Sequence, residues 1–173
     1  MELILLRHAP PRREFHGRYV GHTDIGIDPA LFDPAKIAPL LGMPFDRVYS
    51  SDLSRCTRTL EMMDISDYTA DARLREVRFR APFEGKSFAE IERLEGYDPS
   101  VLDSADAWHR FVCAESAEAF AERLRSFLDT LPPLGAILVC THAGVIRELL
   151  SQLSPSTPPV TPGYLEYTRV RVK

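Results

Sequence analysis

The chain has 173 residues, 45% hydrophobic and 27% charged, with a net charge of −4; this fits one globular domain over residues 1–173 with one core. That charge excludes nucleic-acid or membrane binding through bulk electrostatics. The longest apolar runs are about five residues, against the roughly 20 that a membrane span needs, and no basic segment leads into a long apolar stretch, so no targeting peptide is expected. Cys56, Cys113 and Cys140 are odd in number, widely spaced and free of C-x-x-C. They read as buried thiols in a reducing compartment, which makes the cytoplasm the expected location.

Residues 2–6, with the run Leu3-Ile4-Leu5-Leu6, read as a buried strand that ends at Arg7-His8. Residues 9–30 are rich in Pro, Gly and charge and read as a long loop over the strand ends, where binding residues tend to sit. A short helix is expected over 33–41, a strand over 47–50, and then a helix capped by Ser51 or Asp52 with Leu53, Cys56, Leu60 and Met63 on one face. A short strand over 65–69 and an irregular stretch over 70–86 follow. Ser87-Phe88-Ala89-Glu90 matches a capping box and marks a helix start. A second short helix is expected around Trp108 and Phe111, and the clearest helix over 116–131, with Phe120, Leu124, Phe127, Leu128 and Leu131 on one side. Residues 136–140 form a second apolar strand, after which Val145, Ile146, Leu149, Leu150 and Leu153 make the core face of a helix starting at His142 or Ala143. A proline-rich linker over 154–163 leads to an edge strand over 164–172. Strands alternating with helices predict a three-layer α/β/α domain around a mostly parallel sheet.

In such a sheet ligands sit at the carboxyl ends of the strands. Arg7 and His8 follow the first strand, Arg55 lies in the first turn of a helix after another, and His142 follows a third at a helix N-terminus, with Ala143 and Gly144 adding little bulk. Two guanidiniums match phosphate oxygens in bidentate fashion, and a helix start adds free N–H groups. The set reads as a phosphoryl pocket. One imidazole can attack phosphorus if its other nitrogen is held by an acceptor, for which a carbonyl near Gly17 is a candidate. The second, protonated, would stabilise the transferring oxygens, and Glu76 is the best candidate for the acid that protonates the leaving oxygen.

These motifs resemble those of the histidine phosphatase superfamily, also called phosphoglycerate-mutase-like. Leu6-Arg7-His8-Ala9-Pro10 resembles its opening R-H motif and Ser50-Ser51-Asp52-Leu53-Ser54-Arg55-Cys56 its S-x-L-x-R-A segment. Leu74-Arg75-Glu76, followed by Phe83-Glu84-Gly85, resembles L-x-E…W-E-G, and Thr141-His142-Ala143-Gly144-Val145-Ile146-Arg147 resembles the second-histidine motif. The four occur in the family's order. The resemblance implies a phosphoglycerate-mutase-like fold, His8 as the phosphorylated nucleophile, Glu76 as the proton donor, and Arg7, Arg55 and His142 as phosphate ligands, with no metal and no cofactor. Gly17-Arg18-Tyr19-Val20-Gly21-His22-Thr23-Asp24 resembles the G-x-x-Y-G-x-T-D loop of the α-ribazole phosphatase branch, which implies Thr23 beside the phosphate. Ala143 joins the expected phosphate- or substrate-binding set. The implied partner is a small-molecule phosphate ester, with neither nucleic acid nor membrane; oligomeric state is open.

Two departures stand out: Arg80 replaces a Gly of the family pattern and Phe83 its Trp. The mutase segment E-R-H-Y-G is absent; Glu76-Val77-Arg78-Phe79-Arg80 stands there instead. The leading expectation is therefore a phosphomonoesterase acting through phosphohistidine. The alternatives are a cofactor-dependent phosphoglycerate mutase, a phosphatase for protein phosphohistidine, a metal hydrolase, and a non-catalytic phosphoryl-binding module. Plainer roles are expected for several residues: Arg78 and Arg80 as exposed charges, Arg147 as an ion-pair partner, Trp108 as packing, and His16, His22 and His109 as non-ligands.

Overall fold

The computed structural model describes residues 1–155 and 160–172. Five strands form one sheet in the order β3-β2-β4-β1-β5: β1 (Glu2–Arg7), β2 (Arg47–Ser50), β3 (Thr69–Ala70), β4 (Ala136–Thr141) and β5 (Tyr167–Arg171). The first four run parallel, and β5 lies antiparallel on the outer side of β1. Both apolar runs seen in the sequence are central strands covered on two faces, which is why neither alternates with polar residues. Successive side chains go to opposite faces. Leu3, Leu5, Ile137 and Val139 pack with Phe120, Leu124 and Phe127 of α4 (Ala117–Leu128) and Val145, Ile146 and Leu149 of α5 (Ala143–Leu153). Ile4, Leu6, Leu138 and Cys140 pack with Cys56 and Leu60 of α1 (Ser54–Met62) and with Ile37 and Leu40. The result is the three-layer α/β/α architecture expected from the sequence.

Where the boundaries differ, local chemistry supplies the reason. Neither Ser51 nor Asp52 is the cap residue of α1; the helix starts after Leu53, which has no side-chain cap. The free amide of Ser54 is met by Asp24 Oδ1 at 2.7 Å, a cap delivered by the long loop. Asp52 is drawn away by a two-pronged pair with Arg75, at 2.7 and 2.6 Å. The helix over 33–41 is a 3-10 helix, Pro34–Leu40; Pro39, inside it, lacks the amide that an α-helix would use and crowds the carbonyl one turn back. The strand over 65–69 shrinks to Thr69–Ala70: Asp64 takes a φ of 60° and the Ile65 amide folds back onto the Leu60 carbonyl. The capping box at Ser87 and Glu90 is present, but the helix it starts, α2 (Phe88–Ile91), is one turn long. The short helix around Trp108 is α3 (Ala105–Val112). α4 stops at Leu128, short of Leu131. β5 starts at Tyr167 rather than 164, after a turn in which Leu165 has a φ of 57°. Part of the linker expected over 154–163, residues 156–159, lies outside the described residues.

From β1 the chain crosses to β2, moves outward to β3, and returns to insert β4 between β2 and β1. The register Leu6↔Cys140 and Arg7↔Thr141 brings the carboxyl ends of β1 and β4 level. His8 and His142, each the next residue, therefore emerge side by side at a switch point of strand order, where open α/β sheets bind ligands.

At the opposite end of β4, Gly135 takes a φ of +101°, and a Cβ there would sit 2.7 Å from Asp46 Oδ2. That carboxylate is fixed by the Ala136 amide at 2.7 Å. Gly135→Ala should lose about 1–3 kcal/mol, a fall in Tm of roughly 3–10 °C, with kcat retained because the site lies at the other strand end. Unchanged thermal unfolding would count against this reading of the turn.

Candidate active site

His8 is 5% exposed, and its amide donates to the Thr141 carbonyl at 3.0 Å. Its Nδ1 lies 2.7 Å from the carbonyl of Ala9. A carbonyl only accepts, so Nδ1 carries the hydrogen and Nε2 keeps its lone pair. The acceptor is thus the next residue, not a carbonyl near Gly17. Burial, then the Arg55 and Arg7 guanidiniums, push the His8 pKa well below its ordinary value, against a smaller opposing pull from the Ala9 carbonyl. The neighbouring backbone is tied to α1: the Ala9 amide donates to Thr59 Oγ1 at 2.8 Å, and that hydroxyl donates to the Arg55 carbonyl at 2.7 Å.

His142 is 1% exposed, with its ring centroid 5.2 Å from that of His8. Its Nδ1 accepts from Arg55 Nε at 3.1 Å, so the ring hydrogen sits on Nε2 and is donated to Ser51 Oγ at 2.9 Å. A second ring proton would face an N–H that cannot accept it. Burial and the Arg55 charge, with His8 and Arg7, hold the His142 pKa well below normal. The hydrogen-bond pattern and the direction of the shift therefore favour a neutral His142 over the protonated ring expected from the sequence.

Arg55 is buried, and donates also to the carbonyls of Thr23 at 3.0 Å and Gly21 at 2.7 Å. Three of its five N–H groups are used, and the side chain lines a cavity of about 120 Å³ together with Arg7, His8, Glu76, His142 and Ala143. Arg7 donates to the Pro162 carbonyl at 2.8 Å and lies 3.9 Å over the Tyr164 ring. Its Nε is buried with no partner among the described residues. An unmet buried N–H is costly, and a phosphoryl oxygen in this cavity is a fitting acceptor.

Glu76 is held from both ends. Its carboxylate oxygens accept from the Val77 and Gly144 amides, each at 3.0 Å, and its carbonyl accepts from His22 Nε2 at 2.9 Å and Arg123 Nη2 at 3.1 Å. Position 144 must be glycine, since a Cβ would collide with Glu76 Oε1. Arg123 also grips Glu115 with two hydrogen bonds at 2.6 and 2.9 Å and donates to the Arg73 carbonyl.

The expected residues Arg7, His8, Arg55, Glu76, His142 and Ala143 thus share one cavity. Thr23 does not line it; its side chain is exposed, and its carbonyl orients Arg55 instead. Glu84 explains the placement of that loop. Its Oε1 accepts from the amides of Gly21 at 2.8 Å and Thr23 at 3.1 Å, so it presents both carbonyls to Arg55. A Cβ at Gly21 would lie 2.5 Å from the Val77 carbonyl.

The two departures also find their reasons. Arg80 is exposed, as expected, and in addition donates to the Cys113 and Arg110 carbonyls at 3.0 and 2.9 Å, which ties its loop to the end of α3. Phe83 is buried against Phe111, centroids 4.8 Å apart, filling core space. Arg78 is exposed, and Trp108 packs on Tyr19, Phe88 and Phe111. Arg147 makes no ion pair among the described residues. His16, His22 and His109 each bond a backbone carbonyl, and among the described residues no three His, Cys, Asp or Glu cluster in a way that could hold a metal ion. No described helix is long and apolar enough to cross a membrane.

Sequence reasoning missed Arg123, Tyr164 and the holding role of Glu84. Nothing in the local sequence around Tyr164 marks it, because only the antiparallel return of β5 brings it to Arg7.

A paired-histidine cavity at the carboxyl edge of a parallel sheet defines a phosphoryl-handling α/β protein. The profile of the histidine phosphatase superfamily (branch 1) matches residues 3–170, and the chain belongs to that superfamily, as a phosphatase-type enzyme. A putative phosphoserine phosphatase 2 of Hydrogenobacter thermophilus is 30% identical over 161 residues, 88% of this chain and 78% of its own. A 2,3-bisphosphoglycerate-dependent phosphoglycerate mutase of Nitrosococcus oceani is 27% identical (87% and 79% covered), and an adenosylcobalamin/alpha-ribazole phosphatase of Salmonella typhimurium 28% (88% and 79%). The crystal structure of TTHB049 from Thermus thermophilus superposes with a TM-score of 0.71 at 30% identity, covering 98% of this chain and 93% of that one.

The two buried neutral histidines make stability depend on pH. Both pKa values are depressed in the folded state, so below about pH 6.5 the unfolded chain binds protons that the folded chain refuses. Stability should fall as pH drops from 7.5 to 5.5, by up to about 1.4 kcal/mol per pH unit per histidine. His22, lowered by partial burial, adds in the same direction. The depressed carboxylates Asp52 and Glu115 act only nearer pH 4 and below, where their stabilisation is lost in turn. Urea unfolding at three pH values measures the slope; a flat profile from 7.5 to 5.5 would contradict neutral burial.

Proposed function

We propose that this chain is a phosphomonoesterase that hydrolyses a small-molecule phosphate ester through phosphohistidine on His8. The observation that carries the proposal is the His8 Nδ1–Ala9 carbonyl hydrogen bond, which fixes the tautomer and leaves Nε2 unprotonated beside two guanidiniums. Nε2 attacks phosphorus, the P–O ester bond breaks, and Glu76 gives its proton to the departing oxygen. Glu76 then takes a proton from water as that water attacks the phosphohistidine. The P–N bond breaks, Nε2 regains its lone pair, and phosphate leaves. The remaining N–H groups of Arg55 and Arg7 face the charge that grows on the transferring oxygens. His142 acts as a neutral ring that orients Arg55.

The substrate class we favour is a nucleotide-like monophosphate such as α-ribazole phosphate, over 3-phosphoglycerate. It is supported by the Gly17–Asp24 loop, by the 28%-identical relative that carries that name, and by the Val77-Arg78-Phe79-Arg80 sequence where mutases carry R-H-Y-G. Only about 65 residues separate Glu76 from His142, which leaves little room for a large cap over the site. Three free, buried thiols fit work in a reducing compartment such as the cytoplasm.

Base-quenched reaction with a labelled ester should trap acid-labile, base-stable label on the protein, and His8→Ala should abolish both label and turnover; label that survives in His8→Ala would remove His8 from the role. Free phosphate should equal alcohol released. Efficient interconversion of 2- and 3-phosphoglycerate with little free phosphate would establish the mutase instead. Glu76→Gln should slow alkyl phosphates by about 10²–10⁴-fold and an aryl ester with a good leaving group far less. Equal losses would assign Glu76 another part.

A further inference from the structure

A second cavity, of about 300 Å³, opens behind the phosphate-sized one. The two share Tyr19, Glu76 and Phe79 as a common wall. Beyond that wall the second cavity is bounded by Trp108, Val112 and Cys113 on one side and by Gly144 and Arg147 of α5 on the other. Its aromatic side is ordered: the Tyr19 ring stands edge-on to Phe79 at 5.4 Å and tilts against Trp108 at 5.7 Å. Burial, with Glu76 and Glu115 nearby, pushes the Cys113 thiol up to about 11, so it is a neutral part of this wall.

Gly144 and Arg147 are three residues apart on α5 and therefore lie on one helix face. Gly144 is where the Glu76 carboxylate rests. The Arg147 backbone lies about one helical turn, roughly 5 Å, beyond Gly144; its side chain is exposed, lines the cavity and has no ion pair among the described residues.

We propose that this cavity is the leaving-group site, that it prefers phosphate esters of alcohols carrying a flat ring, and that a carboxylate on the ring adds to that preference. The ring lies against Tyr19, Phe79 and Trp108, and the carboxylate meets Arg147. This rests on the phosphomonoesterase reading above and goes beyond its nucleotide-like class, because it adds an acid to the ring. The link to the chemistry is Glu76: the departing oxygen must lie beside the group that protonates it, and Glu76, with Tyr19 and Phe79, lines both cavities, so the alcohol is released next to this one. A guanidinium binds a carboxylate in bidentate fashion, and aromatic walls favour a flat apolar body over a short chain.

Three alkyl esters with similar leaving groups test it: ethyl phosphate, benzyl phosphate and 4-carboxybenzyl phosphate. In the wild-type enzyme kcat/KM should rise about tenfold from ethyl to benzyl, from the buried ring area, and about fivefold again with the carboxylate, a modest gain because Arg147 is partly in water. Arg147→Gln should bring the carboxybenzyl-to-benzyl ratio to near one, and Trp108→Leu or Phe79→Leu should lower the benzyl-to-ethyl ratio. Wild-type ratios near one would overturn the inference without any variant, as would a carboxylate preference that survives Arg147→Gln. Failure to hydrolyse any of the three esters would overturn this inference, whereas the phosphomonoesterase reading itself falls only if α-ribazole phosphate also releases no free phosphate, which separates the two outcomes.

Discussion

Among the described residues Arg55 is the bulkiest side chain fully withdrawn from water. A guanidinium in such a place is tolerated only when its N–H groups are met, and here the partners come from separate parts of the chain: the Gly21 and Thr23 carbonyls of the long loop and Nδ1 of His142 at the end of β4. The loop can present those carbonyls because Glu84 holds its amides. Burial, and after it this positive charge, lowers the pKa of both imidazoles, which favours a free lone pair on His8 and an accepting nitrogen on His142. Remove that one buried cation and the loop, the tautomers and the shape of the phosphate cavity all lose their reason.

The Glu76 side of the pocket follows a different logic. Here the side chain is set by backbone groups, two amides on its carboxylate and two donors on its own carbonyl. One of those donors, Arg123, belongs to α4, a helix whose other face is core, and its ion pair with Glu115 holds it in place. A rigid helix thus holds the loop that carries Glu76, which gives an irregular segment positional accuracy.

Much of this was legible in the sequence where one residue type has one physical use. Two uninterrupted apolar runs meant central parallel strands, and Arg-His and Thr-His at their ends meant a shared pocket. The capping box at Ser87 was legible because both of its partners lie within one turn. What stayed hidden depended on partners far away in sequence. Asp24 capping α1 across 30 residues, Asp52 leaving its cap position for Arg75, and Tyr164 under Arg7 have no local signature. Thr23 was misplaced for a related reason: a motif records that a residue matters, whereas here its carbonyl, not its hydroxyl, does the holding. The tautomer of His142 was likewise invisible, since it is dictated by which of its ring nitrogens Arg55 meets.

The antiparallel return of β5 along β1 sets Pro162 and Tyr164 against Arg7, a contact spanning 155 positions of chain. One wall of the phosphate cavity is therefore contributed by a segment that a ribosome delivers long after His8. Loop closure across such a separation is entropically costly and comes late. During synthesis His8 is exposed long before the pocket around it exists. A finished phosphate cavity is thus a report that β1 and β5 have met, and competence for chemistry arrives with the completion of the sheet rather than with any helix or loop of the site.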